Sequence, residues 1–463
     1  MNTKTGRMKK LQYIVFICAV FLTGVACDKK LDILPQNNIT PSQIQTSADV
    51  EAVLFGAYKL LQGDGAYGEQ YILVPDLIAD AEQIKFIGTF TDYSDITRKI
   101  QDKTNGLAAG IWATGYTTIN VANTVLDKIS VVNADERDAI IGEAKFIRGM
   151  VYFQLANIYG LPYSAGNTSS NLAVPLMLSP VYAYDSTKDK PARATIDEVY
   201  NQVIADLKDA VAKLPESADN GRATKYSAEA FLARVYMNMA DYADAAAAAD
   251  DVINSGLYAL TPSFGAEFNN TSNSSEDIFA IQETSQSNAG TTNGGISTFY
   301  QALPSGRGDV QTDPKYFNHF DDANDDRAAF FYSGTSIAGF DGTYTFKWVE
   351  FYKAIPVVRL AEMYLTRGEA NLHLGTPVGG STSAQDYNTV RARSNAASKA
   401  SVRVNDFVEE RLRELGFEGD RMFTLKRLKM NVDNLPYTDG RLILPIPQAE
   451  IDVNGNLAQN PGY

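Results

Sequence analysis

The sequence predicts a mainly α-helical fold: one large domain of irregular helix pairs, carrying long loops and a few short β-strands. Three observations lead there. Apolar residues recur at three- and four-residue steps through most long segments. Stretches rich in Asn, Ser, Thr and Gly separate those segments, as loops do. Of the 463 residues, 45% are hydrophobic and 21% charged, enough apolar material for a large core.

The N-terminus reads as an address. Residues 1–10, "MNTKTGRMKK", are basic, and residues 11–26, "LQYIVFICAVFLTGVA", form an apolar run ending in small residues. At ~1.5 Å per residue such a helix is too short for a ~30 Å hydrocarbon core, so a signal peptide over 1–26 is predicted. Cys27 follows the cleavage signal Gly24-Val25-Ala26, an arrangement that resembles a bacterial lipobox, with Gly24 where Leu is usual. A thiol there can be alkylated by a diacylglyceryl group, and two or three acyl chains anchor a protein stably. Residues 27–42 are then the lipidated N-terminus and tether, polar and broken by Pro35 and Pro41, and 43–463 the single domain.

Composition excludes several function classes. Residues 1–26 carry four basic and no acidic side chains, so their loss takes the net charge from −14 to −18. Such a surface repels nucleic acid. The only histidines, His319 and His373, cannot build a histidine-rich metal site or relay. The two cysteines, Cys18 and Cys27, leave the domain without a disulfide. No catalytic residue, metal ligand or cofactor motif is predicted. "DDANDDR", residues 321–327, has calcium-loop character at Asp322, Asn324 and Asp326, but Arg327 takes the place of the required glycine. A glycosidase needs only two carboxylates, and the 55 acids offer no discriminating spacing.

Trp112 falls near the start of the predicted helix "IWATGYTTINVANTVLDKI" and reads as core, and "AKFIRGMVYFQLANIYG", 144–160, is the next helix. Gly149 inside it costs roughly 1 kcal/mol relative to Ala. From Thr195 to Leu214 a single apolar stripe runs through Ile196, Val199, Tyr200, Val203 and Leu207. Thr195 and Glu198 make a capping box, and Pro215 ends the helix. "KYSAEAFLARVYMNMADYADAAAAADDVINSGLY" predicts an antiparallel pair, with Leu232, Ala233, Tyr236 and Ala245 at tetratricopeptide-like spacing. "IPVVRLAEMYLTRGEANLHLG", 355–375, repeats the character of the pair's first helix. Short strands are expected in "DIFAIQE", "TYTFKWVEFY", which holds Trp348, and "RLILPIP". Glu418, Asp420, Arg421, Lys426 and Arg427 in "FEGDRMFTLKR" are expected to form an ion-pair network joining the C-terminal region to the helices.

Seven segments in order resemble the SusD/RagB family of Bacteroidota surface lipoproteins: "CDKKLDILPQ", "EAKFIRGMVYFQLANIYGLPY", "RATIDEVYNQVIADLKDAVAKLP", the helix pair above, "IPVVRLAEMYLTRGEANLHLG", "ERLRELGFEGDRMFTLKR" and "LPIPQAEIDVNGNLAQNPGY". Met422 and Thr424 depart from the Trp and Asp often seen there. The resemblance implies a SusD-like fold over the mature chain and no enzymatic activity. It implies capture of an oligosaccharide, or alternatively an oligopeptide, for a partner TonB-dependent SusC-like transporter. The outer membrane, facing outward, is the implied location. A periplasmic tetratricopeptide-like scaffold is the alternative from another class, which Asp28 beside the anchor leaves open.

Sugar capture asks for flat rings flanked by amides and carboxylates on exposed loops. Two stretches qualify. "DLIADAEQIKFIGTFTDYSD", 76–95, offers Asp80, Glu82, Phe86, Phe90 and Tyr93 on a non-helical loop. "GGISTFYQALPSGRGD", 294–309, offers Phe299, Tyr300, Gln301 and Arg307.

Overall fold

The computed structural model describes residues 40–463 apart from Asp80 and Asn220. The predicted signal peptide, Cys27 and most of the tether lie outside the described residues. Two compact units divide the chain after Ile44. Of the first, residues 40–44 are described. They form one 3-10 turn, Pro41–Gln43, capped where Gln43 Oε1 accepts the Thr40 N–H at 2.8 Å.

The second unit, Gln45–Tyr463, contains fourteen α-helices and six short strands among the described residues. It opens with α1 (Ser47–Gln62), α2 (Gln70–Ile78), β1 (Ile84–Phe86), α3 (Thr91–Thr97), α4 (Gly106–Asp127) and α5 (Arg137–Tyr159). There follow α6 (Ile196–Lys213), α7 (Lys225–Met239), α8 (Tyr242–Asn254), β2 (Asp277–Ile281), α9 (Ile296–Tyr300) and β3 (Val310–Thr312). A hairpin comes next, β4 (Phe331–Thr335) with β5 (Asp341–Thr345). Then come β6 (Ile355–Arg359), α10 (Leu360–Leu374), α11 (Ser383–Arg393), α12 (Val404–Leu415), α13 (Asp420–Arg427) and α14 (Gln448–Val453). The fold is mainly α, as the periodicity predicts. No described helix is long and apolar enough to cross a membrane.

The long helices pack in succession, α1 on α4, α4 on α5, α5 on α6, and on through α7, α8, α10 and α11. Helix α6 begins where predicted: Thr195 Oγ1 accepts the Glu198 N–H, and Glu198 Oε2 accepts the Thr195 N–H at 2.8 Å. The stripe through Val199, Val203 and Leu207 is fully buried. Gly149 has a packing reason, because a Cβ there would sit 3.2 Å from Leu207 on α6. The predicted pair is α7 and α8, turned by Ala240 at φ 59°. Leu232, Ala233, Tyr236 and Ala245 are all buried between neighbouring helices.

Two expectations differ. "IPVVR" opens not as helix but as β6, antiparallel to β2 with Ile355 opposite Ile281, because its β-branched run is buried against that strand. "RLILPIP" forms no strand. Its backbone pairs elsewhere, the Leu444 N–H with Ile158 O at 2.7 Å and Leu444 O with the Asn460 amide at 2.8 Å.

The expected ion network exists and is larger than the sequence suggests. Arg359 reaches Glu276 (2.7 Å), Glu414 (2.6 Å) and Glu418 (2.9 Å). Arg327 reaches Asp325 (2.7 Å), Glu410 (2.8 Å) and Glu414 (3.0 Å). Asp420 pairs with Arg411, and Arg427 with Glu369 at 2.6 Å. Lys426 instead gives its ammonium to Leu442 O, and burial brings it down to about 7. The acids of "DDANDDR" are spent on the same region, Asp321 on Arg391 (2.9 Å) and Lys399 (2.8 Å), Asp325 on Arg327.

Candidate functional site

The two stretches singled out in the sequence come together. Strand β1 pairs antiparallel with β3, Phe86 opposite Val310, and beyond it the Ile87 N–H donates to Asp309 O at 2.8 Å. This zips residues 84–87 along 309–312. Four of the expected residues then form one ring cluster. Phe86 stacks on Tyr93 (centroids 5.7 Å, planes 11° apart), and Phe299 lies 4.8 Å from Tyr93 and 6.0 Å from Phe90. The Arg307 guanidinium sits 4.4 Å over the Phe90 ring, held by Asp309 at 2.7 Å. The aromatic face and the buried carboxylate hold the guanidinium between them, and Asn293 Oδ1 accepts from its Nη1 at 3.3 Å.

Local structure differs from the loops expected. Residues 76–78 end α2 and 91–97 form α3, whose Tyr93 and Ile96 are buried at i, i+3. The Asn105 amide donates to Asp92 O (3.1 Å), and Asp92 Oδ2 accepts the Gly106 N–H (3.1 Å). The short helix is thereby pinned on the start of α4. Phe299 and Tyr300 lie not on an open loop but in the five-residue helix α9, which buries Ile296, Phe299 and Tyr300 at i, i+3, i+4. A helix of that length is shorter than the window in which periodicity shows. Gln301 is also buried, its amide donating to Val349 O.

The expected residues therefore divide by position. Phe86, Phe90 and Arg307 are half-buried and border solvent; Tyr93, Phe299, Tyr300 and Gln301 lie beneath them. Glu82 stands apart, near His319 (3.4 Å) and Arg421 (3.7 Å). Asp80 lies outside the described residues. Of the tryptophans, Trp112 packs on Tyr116 and Tyr159, and Trp348 donates Nε1–H to Phe417 O at 2.9 Å from a 3-10 turn rather than a strand.

Residues missed in the sequence extend the surface. The Leu303 N–H donates to Thr335 O (3.0 Å) and the Ile337 N–H to Arg307 O (2.7 Å), laying the β4–β5 hairpin along the Arg307 loop. Leu303, Ile337 and Phe340 are exposed on that side. Beside α9, Ser297 Oγ donates to Glu350 O (3.0 Å), next to exposed Phe346 and Tyr352. Gly339, in a five-residue connection between alternating runs, was the available signal for the hairpin.

Beneath the rings lie two carboxyls of α2 and its cap. Glu69 accepts from the Tyr93 hydroxyl and, at 2.8 Å, from the Gly295 N–H. Asp76 accepts from the Tyr300 hydroxyl at 2.9 Å and the Gly419 N–H at 3.2 Å. Burial pushes Glu69 up to about 8 and Asp76 up to about 7. Burial, and after it the neighbouring Glu69, hold the Tyr93 hydroxyl well above the usual phenol range.

Among the described residues no group of three or more His, Cys, Asp and Glu could hold a metal ion. A partly open cavity lined by Tyr71, Gln154, Arg234 and Arg411 offers about 50 Å³, room for a few waters rather than for a sugar. The ring surface presents ring faces, a guanidinium edge and backbone groups.

Residues 29–237 match a SusD-like family described as starch-binding and associating with the outer membrane, and residues 352–441 match the SusD family. A SusD-like protein of Formosa agariphila is 27% identical over 98% of this chain and 100% of its own. The starch-binding protein SusD of Bacteroides thetaiotaomicron is 26% identical, covering 75% of this chain and 77% of its own. A solved SusD superfamily protein of Bacteroides thetaiotaomicron superposes with a TM-score of 0.80 at 27% identity, over 90% of this chain and 100% of its own.

Proposed function

Because this chain belongs to the SusD/RagB family, we propose that it is a lipid-anchored protein that captures oligosaccharide at the cell surface. It passes the glycan, chemically unchanged, to a TonB-dependent SusC-like transporter. The family is carbohydrate-binding rather than enzymatic and is associated with the outer membrane. Cys27 is the proposed lipid anchor of a mature chain whose single domain spans 43–463.

One observation supports the placing of the glycan. Two stretches more than 200 residues apart in sequence meet as Phe86, Phe90 and Arg307, rimmed by exposed apolar and aromatic residues. Pyranose C–H faces stack on such rings, and Arg307 and the neighbouring backbone meet the hydroxyls. The other expected residues, Tyr93, Phe299, Tyr300 and Gln301, act from below by holding those rings.

Isothermal titration with soluble starch, laminarin and a peptide digest tests this. Glycan binding is expected, and Phe90→Ala should weaken it about tenfold, the ~1.4 kcal/mol of one lost ring contact. Binding to peptides alone replaces the glycan with an oligopeptide. Absence of any transporter from material solubilised with the protein counts against the handover, and shielding from protease on intact cells against surface exposure.

A further inference from the structure

We propose that Glu69 and Asp76 are the positioning residues of this surface, gripping both of its segments from α2 beneath; the proposal rests on that surface being the binding site. They lie seven residues apart, two helical turns, and so address the same side. Glu69 ties Tyr93 of the first segment to Gly295 at the start of α9. Asp76 ties Tyr300 at the end of α9 to Gly419 at the start of α13. Helix α9 is thus held at both ends by carboxyls, and Tyr93 is the ring on which Phe86 and Phe299 rest.

Nothing in packing alone calls for acids here. Both are almost wholly buried, and neither forms an ion pair with Arg or Lys among the described residues. A buried acid without a cation is costly, and such groups gather where geometry is being set. Each instead accepts one tyrosine hydroxyl and one backbone N–H, which fixes the ring and the loop in a single contact.

The groups facing them are few. Around Glu69 stand Tyr93, the Gly295 N–H and Gln70, with Asp64 as the nearby charge. Around Asp76 stand Gln83, Tyr300, the Gly419 N–H and, as the nearby charge, Lys347. With Glu69 pushed up to about 8, the surface is set near neutral pH with that carboxyl protonated, and alkali ionises it.

Hydrogen exchange of segments 84–98 and 290–301 on the full chain, corrected for intrinsic rates, gives the test. Glu69→Ala should speed exchange in both segments at least tenfold while α6 is unchanged. Glu69→Gln should match wild-type protection near pH 4.5 and lose the wild-type loosening between there and about pH 8. Glycan affinity, by titration with soluble starch and laminarin, should follow the same pattern. Unchanged exchange in Glu69→Ala overturns the proposal, as do identical pH profiles for wild type and Glu69→Gln. The second criterion decides if the alanine variant does not fold. Exchange as expected with neither glycan bound by wild type leaves the positioning standing and removes the glycan reading instead.

Discussion

Two groups of buried acids in this protein meet the same difficulty in opposite ways. Around β6 and α12, Glu276, Glu410 and Glu414 are fully buried and each touches two or more arginines. Burial alone would push Glu414 up, but Arg393, Arg359 and Arg327 outweigh it and hold it well below the usual carboxylate range. On α2, Glu69 and Asp76 are as deeply buried with tyrosines and backbone for company, and burial wins. The difference teaches what each region is for. A cross-linked charge network joins distant segments permanently, whereas a carboxyl kept neutral by burial holds a loop by two accepted hydrogen bonds, and ionising it puts a buried charge where no cation among the described residues pairs with it.

The largest expected effect lies in the first group. Arg359→Leu removes the cation shared by Glu276, Glu414 and Glu418 and leaves their buried charge to Arg393, Arg327 and Lys347 alone, a cost of up to about 3–5 kcal/mol. Urea unfolding should show it as a shifted midpoint with little change in slope. A loss under ~1 kcal/mol would mean that the network is no more than tolerated.

The second effect separates the groups by pH. Below about pH 4.5 Glu69 is protonated folded or unfolded, and its contribution is complete. Between there and about pH 8 the unfolded chain sheds a proton that the folded chain keeps, so this stability falls as pH rises and is gone above 8. The paired acids run the other way. Glu410, Glu414 and Glu418 are held low, so their contribution is present at neutral pH and lost as pH falls through the ordinary carboxylate range. Glu69→Gln should therefore gain on wild type by about 1.4 kcal/mol per pH unit from pH 5 to 8. Parallel stability curves for the two proteins would erase the contrast.

How much of this was legible follows from the range of each interaction. The α6 cap, Thr195 with Glu198, and the α7–α8 pair are local patterns, and the sequence states them outright. The aromatic stretches at 76–95 and 294–309 were visible as composition, but their meeting depends on β1 pairing β3, three residues against three, which no local pattern encodes. Tyr300 looked like a loop ring because helix α9 is too short to show a period. Glu69 carried no signal, since a lone glutamate before a helix reads as a surface residue. Its partners, Tyr93 and Gly295, lie 24 and 226 positions away.

The smallest effect tests whether burial, rather than ion pairing as such, makes the first group matter. Lys213 and Asp138 meet at 2.7 Å, as close as Arg359 and Glu276, but the Asp138 side chain is 72% exposed. Water screens that pair, and each side chain loses freedom to make it, so Asp138→Asn should cost about 1 kcal/mol or less. Salt at ~0.5 M, where the screening length is only a few ångströms, should erase most of even that. The Arg359→Leu loss should hardly change in the same salt, because no counterion reaches a side chain that is 1% exposed. Equal salt sensitivity in the two variants would mean that the network around Arg359 opens to solvent, and that its acids and those of α2 differ in partners but not in burial.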